Sequence, residues 1–149
     1  MLSKKDETIL ELLKKNAKFS SREISDKTGI PITTVHNRVK KMEKDGIIRS
    51  YSVVLDKKKL GKPVSAFVHV TVTYNKPDGT KISQEEVAAK ISRFPEVEEC
   101  SIVTGATDII VKVSTKDVDD LHNFVINKLR EIDGVQNTMT LIVLKDAAA

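Results

Sequence analysis

The stretch FSSREISDKTGIPITTVHNRVKKMEKDG, residues 19–46, predicts two helices joined by a tight turn. Ser20, followed three residues later by Glu23, has the spacing of a helix N-cap with a reciprocal acid, so the first helix begins there. Gly29 stands where a short turn needs a positive φ, and it ends that helix. Pro31 suits the first turn of the next helix, because an N–H at that position would have no helical partner.

The second helix of this stretch has an apolar side and a polar side. Val35, Val39 and Met42 recur at the i, i+4, i+7 spacing of a buried stripe. The polar side carries short hydrogen-bonding groups first and lysines further along, namely Thr33, Thr34, His36, Asn37, Lys40, Lys41 and Lys44. Short polar groups near a helix N-terminus reach base edges in the DNA major groove, while lysines meet phosphates. An ordinary solvated helix has the same charged outer face, so the helix alone leaves both interpretations open.

Charge is unevenly distributed along the 149 residues. Residues 1–60 hold 15 Lys and Arg against 8 Asp and Glu, a net charge of +7. Residues 61–149 hold 10 against 13, a net charge of −3. A basic N-terminal part followed by a mildly acidic remainder indicates a polyanion-binding domain joined to a domain with a different function.

Composition excludes several classes of protein. Cys100 is the single cysteine, which excludes an intrachain disulfide framework and favours a reducing cytoplasm. Cys100 and the three histidines have no zinc-ligand spacing, so no metal or other cofactor is expected. No apolar run approaches the roughly 20 residues of a membrane helix, and the first residues lack the apolar segment of a signal peptide. We therefore expect a cytoplasmic protein without membrane association.

The segments around the quoted stretch complete a winged helix-turn-helix. Residues 4–15 predict a preceding helix with four apolar residues, Ile9, Leu10, Leu12 and Leu13, on one side. Residues 47–55 (IIRSYSVVL) predict a two-stranded wing or a connecting strand. A lysine run with Gly61 and Pro63 then marks a linker. We expect a DNA-binding domain in residues 1–50, the connecting segment in 51–63 and a second domain in 64–149.

The second domain is predicted to be an α+β fold in the order β-α-β-β-α-β. The predicted strands cover residues 64–74, 97–104, 109–115 and 135–144. The first predicted helix begins after the N-cap Ser83, with Glu86 at the reciprocal position, and the second spans residues 117–133. This order is the split-βαβ, ferredoxin-like arrangement, with both helices on one face of an antiparallel sheet. His69, Thr71 and Thr73 give the other face mixed polarity. A partner subunit is the simplest cover for that face, so we expect a homodimer.

Together these motifs resemble the Lrp/AsnC family, the leucine-responsive or feast/famine transcription regulators, over essentially the whole chain. They are residues 6–13 (DETILELL), 29–43 (GIPITTVHNRVKKME), 46–48 (GII), 100–113 (CSIVTGATDIIVKV) and 138–144 (TMTLIVL). The resemblance implies a sequence-specific regulator that binds palindromic operators in double-stranded DNA. It also implies dimers paired through a ferredoxin-like (RAM-type) domain and assembled into tetramers or octamers. An amino acid or similar small molecule would be the effector.

The resemblance assigns roles to the second helix of the quoted stretch. The residues that match exposed recognition-helix positions of the family are Thr33, Thr34, His36, Asn37 and Lys40, and Lys41 follows as a candidate phosphate contact. Arg38 lies beside the stripe of Val35 and Val39. It either braces the motif or reaches a phosphate, and both roles remain open.

The resemblance also implies an effector site. Gly105 and Asp108 match a Gly-x-x-Asp turn whose backbone N–H groups take a ligand carboxylate while Asp108 accepts from the ligand ammonium. Thr138 and Thr140 match last-strand positions near that site. Thr107 stands where many relatives carry an aromatic residue, so a polar ligand, or none, remains open. Any tight hairpin turn uses glycine and aspartate in this way, so a turn without a ligand is the alternative.

Two other functions compete with the regulator. Some proteins resembling this pairing of folds are tetrapyrrole decarboxylases, and the second domain offers only His69 and His122 for the pocket that such an enzyme needs. A hetero-oligomerising interaction module would bind DNA weakly on its own, which the charge of residues 1–60 argues against. No nucleophile–base constellation or phosphate-binding glycine loop is present in the sequence. We therefore expect no enzymatic activity.

Overall fold

Three helices form the N-terminal unit, Met1–Val54, in the computed structural model, which describes residues 1–147. They are α1, Lys4–Lys15; α2, Ser21–Thr28; and α3, Ile32–Lys44. Ser3 and Ser20 each accept from the backbone N–H three residues further on, and Asp6 and Glu23 accept from the N–H of the cap in return. Gly29 ends α2 with a φ of 72°, which glycine adopts without steric cost. The predicted helix-turn-helix is confirmed.

A small apolar core holds these helices together. Its buried members are Ile9, Ile24, Ile30, Val35 and Met42. Val39 and Ile48 pack against them from partly buried positions. The predicted stripe of α3 is therefore the side that contacts the other two helices, and its polar side faces away from this core.

Residues 47–55, where a wing or connecting strand is predicted, form no strand within the described chain. The carbonyl of Met42 accepts from the N–H groups of Ile47 and Ile48, at 2.9 and 3.1 Å, which closes the end of α3. The chain then runs without regular structure until Asp56. A strand exists only where a neighbouring strand pairs with its backbone, and residues 1–54 as described contain no such neighbour.

The second unit, from Leu55 onward, is a four-stranded antiparallel sheet with helices on one face. Its elements are β1, Val64–Val72; α4, Gln84–Ile91; β2, Val97–Ile102; β3, Ile109–Thr115; α5, Val118–Phe124; and β4, Val135–Ile142. The strand order β2-β3-β1-β4 and the element order confirm the predicted ferredoxin-like arrangement. The two helix-to-strand loops are alike, since Val97 donates to Phe94 at 3.0 Å and Val135 donates to Ile132 at 3.1 Å.

Alternating side chains of the central strands build the core of this unit. Val68 and Val70 of β1 and Val111 of β3 are fully buried beneath the helices. Phe94 and Phe124 meet edge to face, with ring centroids 5.7 Å apart. Apolar burial of this kind contributes about 25 cal/mol per Å² and is the main stabilising contribution to such a sheet.

Two local predictions need correction. The helix predicted over residues 117–133 is α-helical only to Phe124 and continues as a π-helical turn, Val125–Leu129, closed by a bond from Arg130 N–H to the Val125 carbonyl. Ser83 caps α4, but its hydroxyl donates to Glu85 at 2.6 Å, and no bond from the Glu86 side chain to the cap occurs in residues 1–147. Lys57, in the segment predicted as a linker, also bonds to Glu98 at 2.8 Å, within the second unit.

Candidate DNA-binding and effector sites

Helix α3 presents its predicted DNA-contacting residues in three different directions. At about 100° per residue, Thr33, Asn37 and Lys40 lie opposite the buried stripe. Thr34 and Lys41 lie roughly a quarter turn to one side, and His36 lies roughly a quarter turn to the other. Side-chain exposure agrees, because Thr33, His36, Asn37, Lys40 and Lys41 are exposed, whereas Thr34 and Arg38 are half-buried. The outermost ridge of α3 is therefore polar first and basic later.

Arg38 points towards α1. Its Nη1 donates to Oδ2 of Asp6 at 3.1 Å, to Oδ1 of Asp6 at 3.3 Å and to the hydroxyl of Ser3 at 3.1 Å. Asp6 is only 7% exposed. The N-cap bonds from Ser3, with Arg38 nearby, hold the pKa of the Asp6 carboxyl below its usual value, so the carboxylate is charged. This contact ties α3 to the start of α1.

Lys40 and Lys41, the two lysines predicted to meet phosphates, each form an ion pair at the surface. Lys40 lies 3.4 Å from Glu43, and Lys41 lies 2.8 Å from Asp45. The hydrogen bond and charge of Asp45 raise the pKa of Lys41, which keeps it cationic. Exposed pairs of this kind are weak, because water and salt screen them. Both ammonium groups are therefore free to exchange a carboxylate for a phosphate.

The predicted effector turn lies between β2 and β3. Gly105 has a φ of 121° and is exposed, and a Cβ placed there would meet nothing within 4 Å. Within residues 1–147, the N–H groups of Gly105, Ala106 and Thr107 have no intrachain acceptor. Such a run of free N–H groups is suited to an anionic group such as a carboxylate.

Asp108 is already bonded within the chain. Its Oδ2 accepts from the backbone N–H of Val72 at 2.7 Å, and its Oδ1 accepts from the Tyr74 hydroxyl at 2.7 Å and from Gln84 Nε2 at 2.9 Å. These bonds, led by that of Val72, hold the pKa of the Asp108 carboxyl below its usual value. The carboxylate therefore clamps the end of β1 and the first turn of α4 while it carries a full negative charge.

The other predicted effector residues do not converge on Asp108 within this chain. The Thr107 hydroxyl lies 3.3 Å from Nδ1 of His69. Thr138 accepts from Nε of Arg130 at 2.9 Å, and Thr140 pairs with Val68 in the β1–β4 ladder. No hydrogen bond joins the 105–108 turn to Thr138 or Thr140 among the bonds of residues 1–147.

The sheet face opposite the helices is partly apolar. Residues directly across an antiparallel ladder share a face, so Phe67 lies beside Leu141, and His69 lies beside Met139. Phe67, Met139 and Leu141 are 39%, 56% and 44% exposed, although each lies within a strand. These three side chains are called the outer patch below.

The described residues meet the requirements of neither a metal site nor a membrane-spanning helix. Within residues 1–147, no group of three or more His, Cys, Asp or Glu is arranged to hold a metal ion. The helices of the same range are all too short or too polar to cross a membrane.

Comparison with known proteins places the chain in a family. Residues 65–148 match the family model described as the Lrp/AsnC ligand binding domain, and residues 2–49 match the one described as winged helix-turn-helix DNA-binding. The chain belongs to the Lrp/AsnC family. It is a DNA-binding transcription regulator, as the resemblance in the sequence indicates.

Relatives and solved structures agree with this assignment. An uncharacterised HTH-type transcriptional regulator of Pyrococcus furiosus is 40% identical over 142 residues, which are 95% of this chain and 92% of the relative. The structure of AsnC from E. coli has a TM-score of 0.84 at 32% identity and covers 100% of this chain and 96% of that one. A Neisseria meningitidis regulator in complex with L-Met has a TM-score of 0.90 at 28% identity, covering 100% and 94%.

Three residues that contact the predicted site residues of this Lrp/AsnC regulator were not identified from the sequence. Asp6 had a detectable signal, because Ser3 and Asp6 have the spacing of a capping box. Tyr74 and Gln84 had none, since they contact Asp108 across 34 and 24 residues of sequence. Only the packing of β1 and α4 against the β2–β3 turn brings them together.

Proposed function

We propose that this Lrp/AsnC regulator binds a palindromic operator as a homodimer and that a small amine-bearing effector, such as an amino acid, changes its affinity for DNA. Base contacts are assigned to the residues on the first half of α3, Thr33, Thr34, His36 and Asn37. Phosphate contacts are assigned to Lys40 and Lys41. The single observation that carries the DNA-binding part is the exposed ridge of α3, polar first and basic later, which fits a helix in the major groove.

The contact of Arg38 with Asp6 supports a bracing role rather than a phosphate contact. If the Arg38 guanidinium turned towards DNA, the negative charge of the nearly buried Asp6 carboxylate would lose its positively charged partner. We therefore assign Arg38 to the orientation of α3 and not to the DNA surface.

The outer patch supports the homodimer. Apolar side chains clustered on one sheet face are a typical protein–protein surface, and a two-fold axis would bury the same patch on both copies. Tetramers or octamers are implied by the family resemblance. A homodimer also matches a palindromic operator, because each subunit places one recognition helix in one half-site.

Two observations support an effector at the 105–108 turn. The free N–H groups of Gly105, Ala106 and Thr107 directly precede the charged Asp108 in the same turn, so this turn offers donors to a carboxylate and an acceptor to an ammonium. The complex of a Neisseria meningitidis regulator with L-Met supports an amino acid as the class of ligand. Thr107, Thr138 and Thr140 remain candidates for contacts in the assembled protein.

The positions of the two histidines in the second unit favour a regulator over an enzyme. His69 contacts Thr107 on the outer face of the sheet, and His122 is exposed on α5. They therefore do not form a shared pocket. Because its target is DNA in a chain with one cysteine, we propose that the protein acts in the cytoplasm.

The experiment is a binding titration with the promoter DNA of its own gene, over a salt series, with and without each amino acid. We expect selective binding that weakens steeply with salt and shifts with one amino acid. Selective binding that no amino acid shifts would reject the effector. If no promoter is bound in preference to random DNA, the assignment of α3 as a reading helix fails.

A further inference from the structure

The Asp108 carboxylate has one fixed and two exchangeable partners. Val72 N–H belongs to the backbone of β1 and holds Oδ2 at 2.7 Å. The Tyr74 hydroxyl and the Gln84 amide both donate to Oδ1, and Gln84 Nε2 also lies 2.6 Å from the Tyr74 oxygen. Tyr74 is 53% exposed, so its ring can leave Oδ1 without disturbing the core.

The same two side chains border an open cavity. Tyr74 and Gln84 line a space of about 400 Å³, together with Lys81, Ile82, Ser83, Glu85 and Glu86. Small-molecule sites in proteins have volumes of about 300–1,000 Å³. The cavity is therefore large enough for a small metabolite and lies directly beside the residues that occupy Oδ1.

Resting on the proposed effector function, we propose that Tyr74 and Gln84 form a latch on Asp108 that a ligand ammonium opens. The ammonium replaces both donors at Oδ1, and the body of the ligand occupies the cavity lined by Tyr74 and Gln84. An ammonium competes successfully because it brings a full positive charge to the carboxylate, whereas the Tyr74 phenol and the Gln84 amide are neutral donors. The bond from Val72 keeps the carboxylate aimed while the other partners exchange.

The latch places the effector pocket between the end of β1 and the start of α4. Within one chain, Thr138 and Thr140 on β4 do not line this cavity. Because Gln84 is the first residue of α4, its release also transmits ligand occupancy to that helix. Phenol and amide donors that must be displaced reduce the apparent affinity of the ligand.

The first test compares ligand affinities of four full-length proteins by calorimetry with a panel of the twenty amino acids. The proteins are the unmodified chain, Tyr74→Phe, Asp108→Asn and Tyr51→Phe. Tyr51→Phe is the matched control, because that hydroxyl bonds to Glu43 in the N-terminal unit. We expect Tyr74→Phe to bind the ligand about fivefold more tightly, since one competing hydrogen bond is gone. Asp108→Asn should weaken binding at least about tenfold, and Tyr51→Phe should not change it.

The outcomes separate the latch from the effector function. Binding that is lost in Asp108→Asn but is unchanged or weaker in Tyr74→Phe overturns the latch and leaves the effector site intact. Binding unaffected by Asp108→Asn overturns the assignment of Asp108, and the latch with it. If neither the unmodified chain nor Tyr74→Phe binds any amino acid, both proposals fail. The N-acetyl derivative of the bound amino acid, which lacks an ammonium, should not bind.

A second test observes the latch directly. The chain has no tryptophan and two tyrosines, so Tyr51→Phe leaves Tyr74 as the only tyrosine emitter. A hydrogen bond to a carboxylate quenches tyrosine fluorescence, so we expect emission to rise when the ligand frees the Tyr74 hydroxyl. The rise should be absent in the Tyr51→Phe, Asp108→Asn double variant. Ligand binding without any change in Tyr74 emission would contradict the latch.

Discussion

Arg38 on α3 and Asp6 on α1 form a bifurcated contact, in which Nη1 of Arg38 lies 3.1 and 3.3 Å from the two carboxylate oxygens of Asp6. Asp6 at the same time caps α1 through Ser3. One carboxylate thus fixes both the start of α1 and the rotation of α3. The orientation of the α3 ridge to which we assign DNA contacts therefore depends on a residue that does not itself lie on that ridge.

Replacing Arg38 should therefore destabilise the fold more than it alters the electrostatics of DNA binding. We expect Arg38→Ala to lower the free energy of unfolding by about 1–3 kcal/mol, because Asp6 loses a partner while nearly buried. The salt dependence of DNA binding should keep its slope. Urea denaturation and a salt series measure the two effects. A slope that falls by about one with unchanged stability would instead make Arg38 a phosphate contact.

Acid should weaken the same contact. The folded state lowers the pKa of Asp6, so the stabilisation by its carboxylate is complete above the ordinary pKa and is lost as pH falls through the lowered value. Asp6→Asn removes the titrating group, and its stability should depend less on pH in this acid range than that of the unmodified chain. Equal slopes of unfolding free energy against pH for the two proteins would refute this.

The two halves of the α3 ridge should respond differently to substitution. Asn37→Ala should relax the preference for one base pair, by about 1–3 kcal/mol, because side-chain amides read base edges. Lys40→Ala should weaken binding to all sequences and reduce the salt slope by about one. Titrations with the operator and with single-base variants measure both effects. Identical behaviour of the two variants would contradict the placement of α3 in the groove.

Gly134 should tolerate no side chain. Its φ is 100°, and an added Cβ would lie 2.7 Å from Cγ2 of Ile82 and 3.0 Å from Cγ2 of Val87. We expect Gly134→Ala to destabilise the second unit by about 2–4 kcal/mol through strain and overlap. Gly79→Ala is the matched control, since φ there is 86° but nothing lies within 4 Å, and it should cost only about 1 kcal/mol. If thermal melting shows equal losses of stability for the two variants, the side chains of Ile82 and Val87 move away from the added Cβ at no cost.

The outer patch should control the association of subunits. We expect the double variant Phe67→Glu, Leu141→Glu to shift the protein to monomers in sedimentation equilibrium, because charges replace apolar contact area. Val118→Glu is the control, since Val118 is also exposed, at 55%, but lies on the helix side of the unit. If the double variant associates like the unmodified chain, the homodimer uses another surface.

The sequence by itself determined the elements and their order. Capping residues and hydrophobic periods act within a few residues, so the helix-turn-helix, the four strands and their β-α-β-β-α-β order followed from local patterns. The bonds of Arg38 to Asp6 and of Asp108 to Tyr74 and Gln84 join residues 24 to 34 positions apart, and only the tertiary structure decided them. Residues 47–55 have a strand-like pattern, yet they find no pairing strand in the described chain. Local sequence patterns cannot predict these long-range bonds or the missing strand pairing, because both depend on which surfaces the tertiary packing brings together.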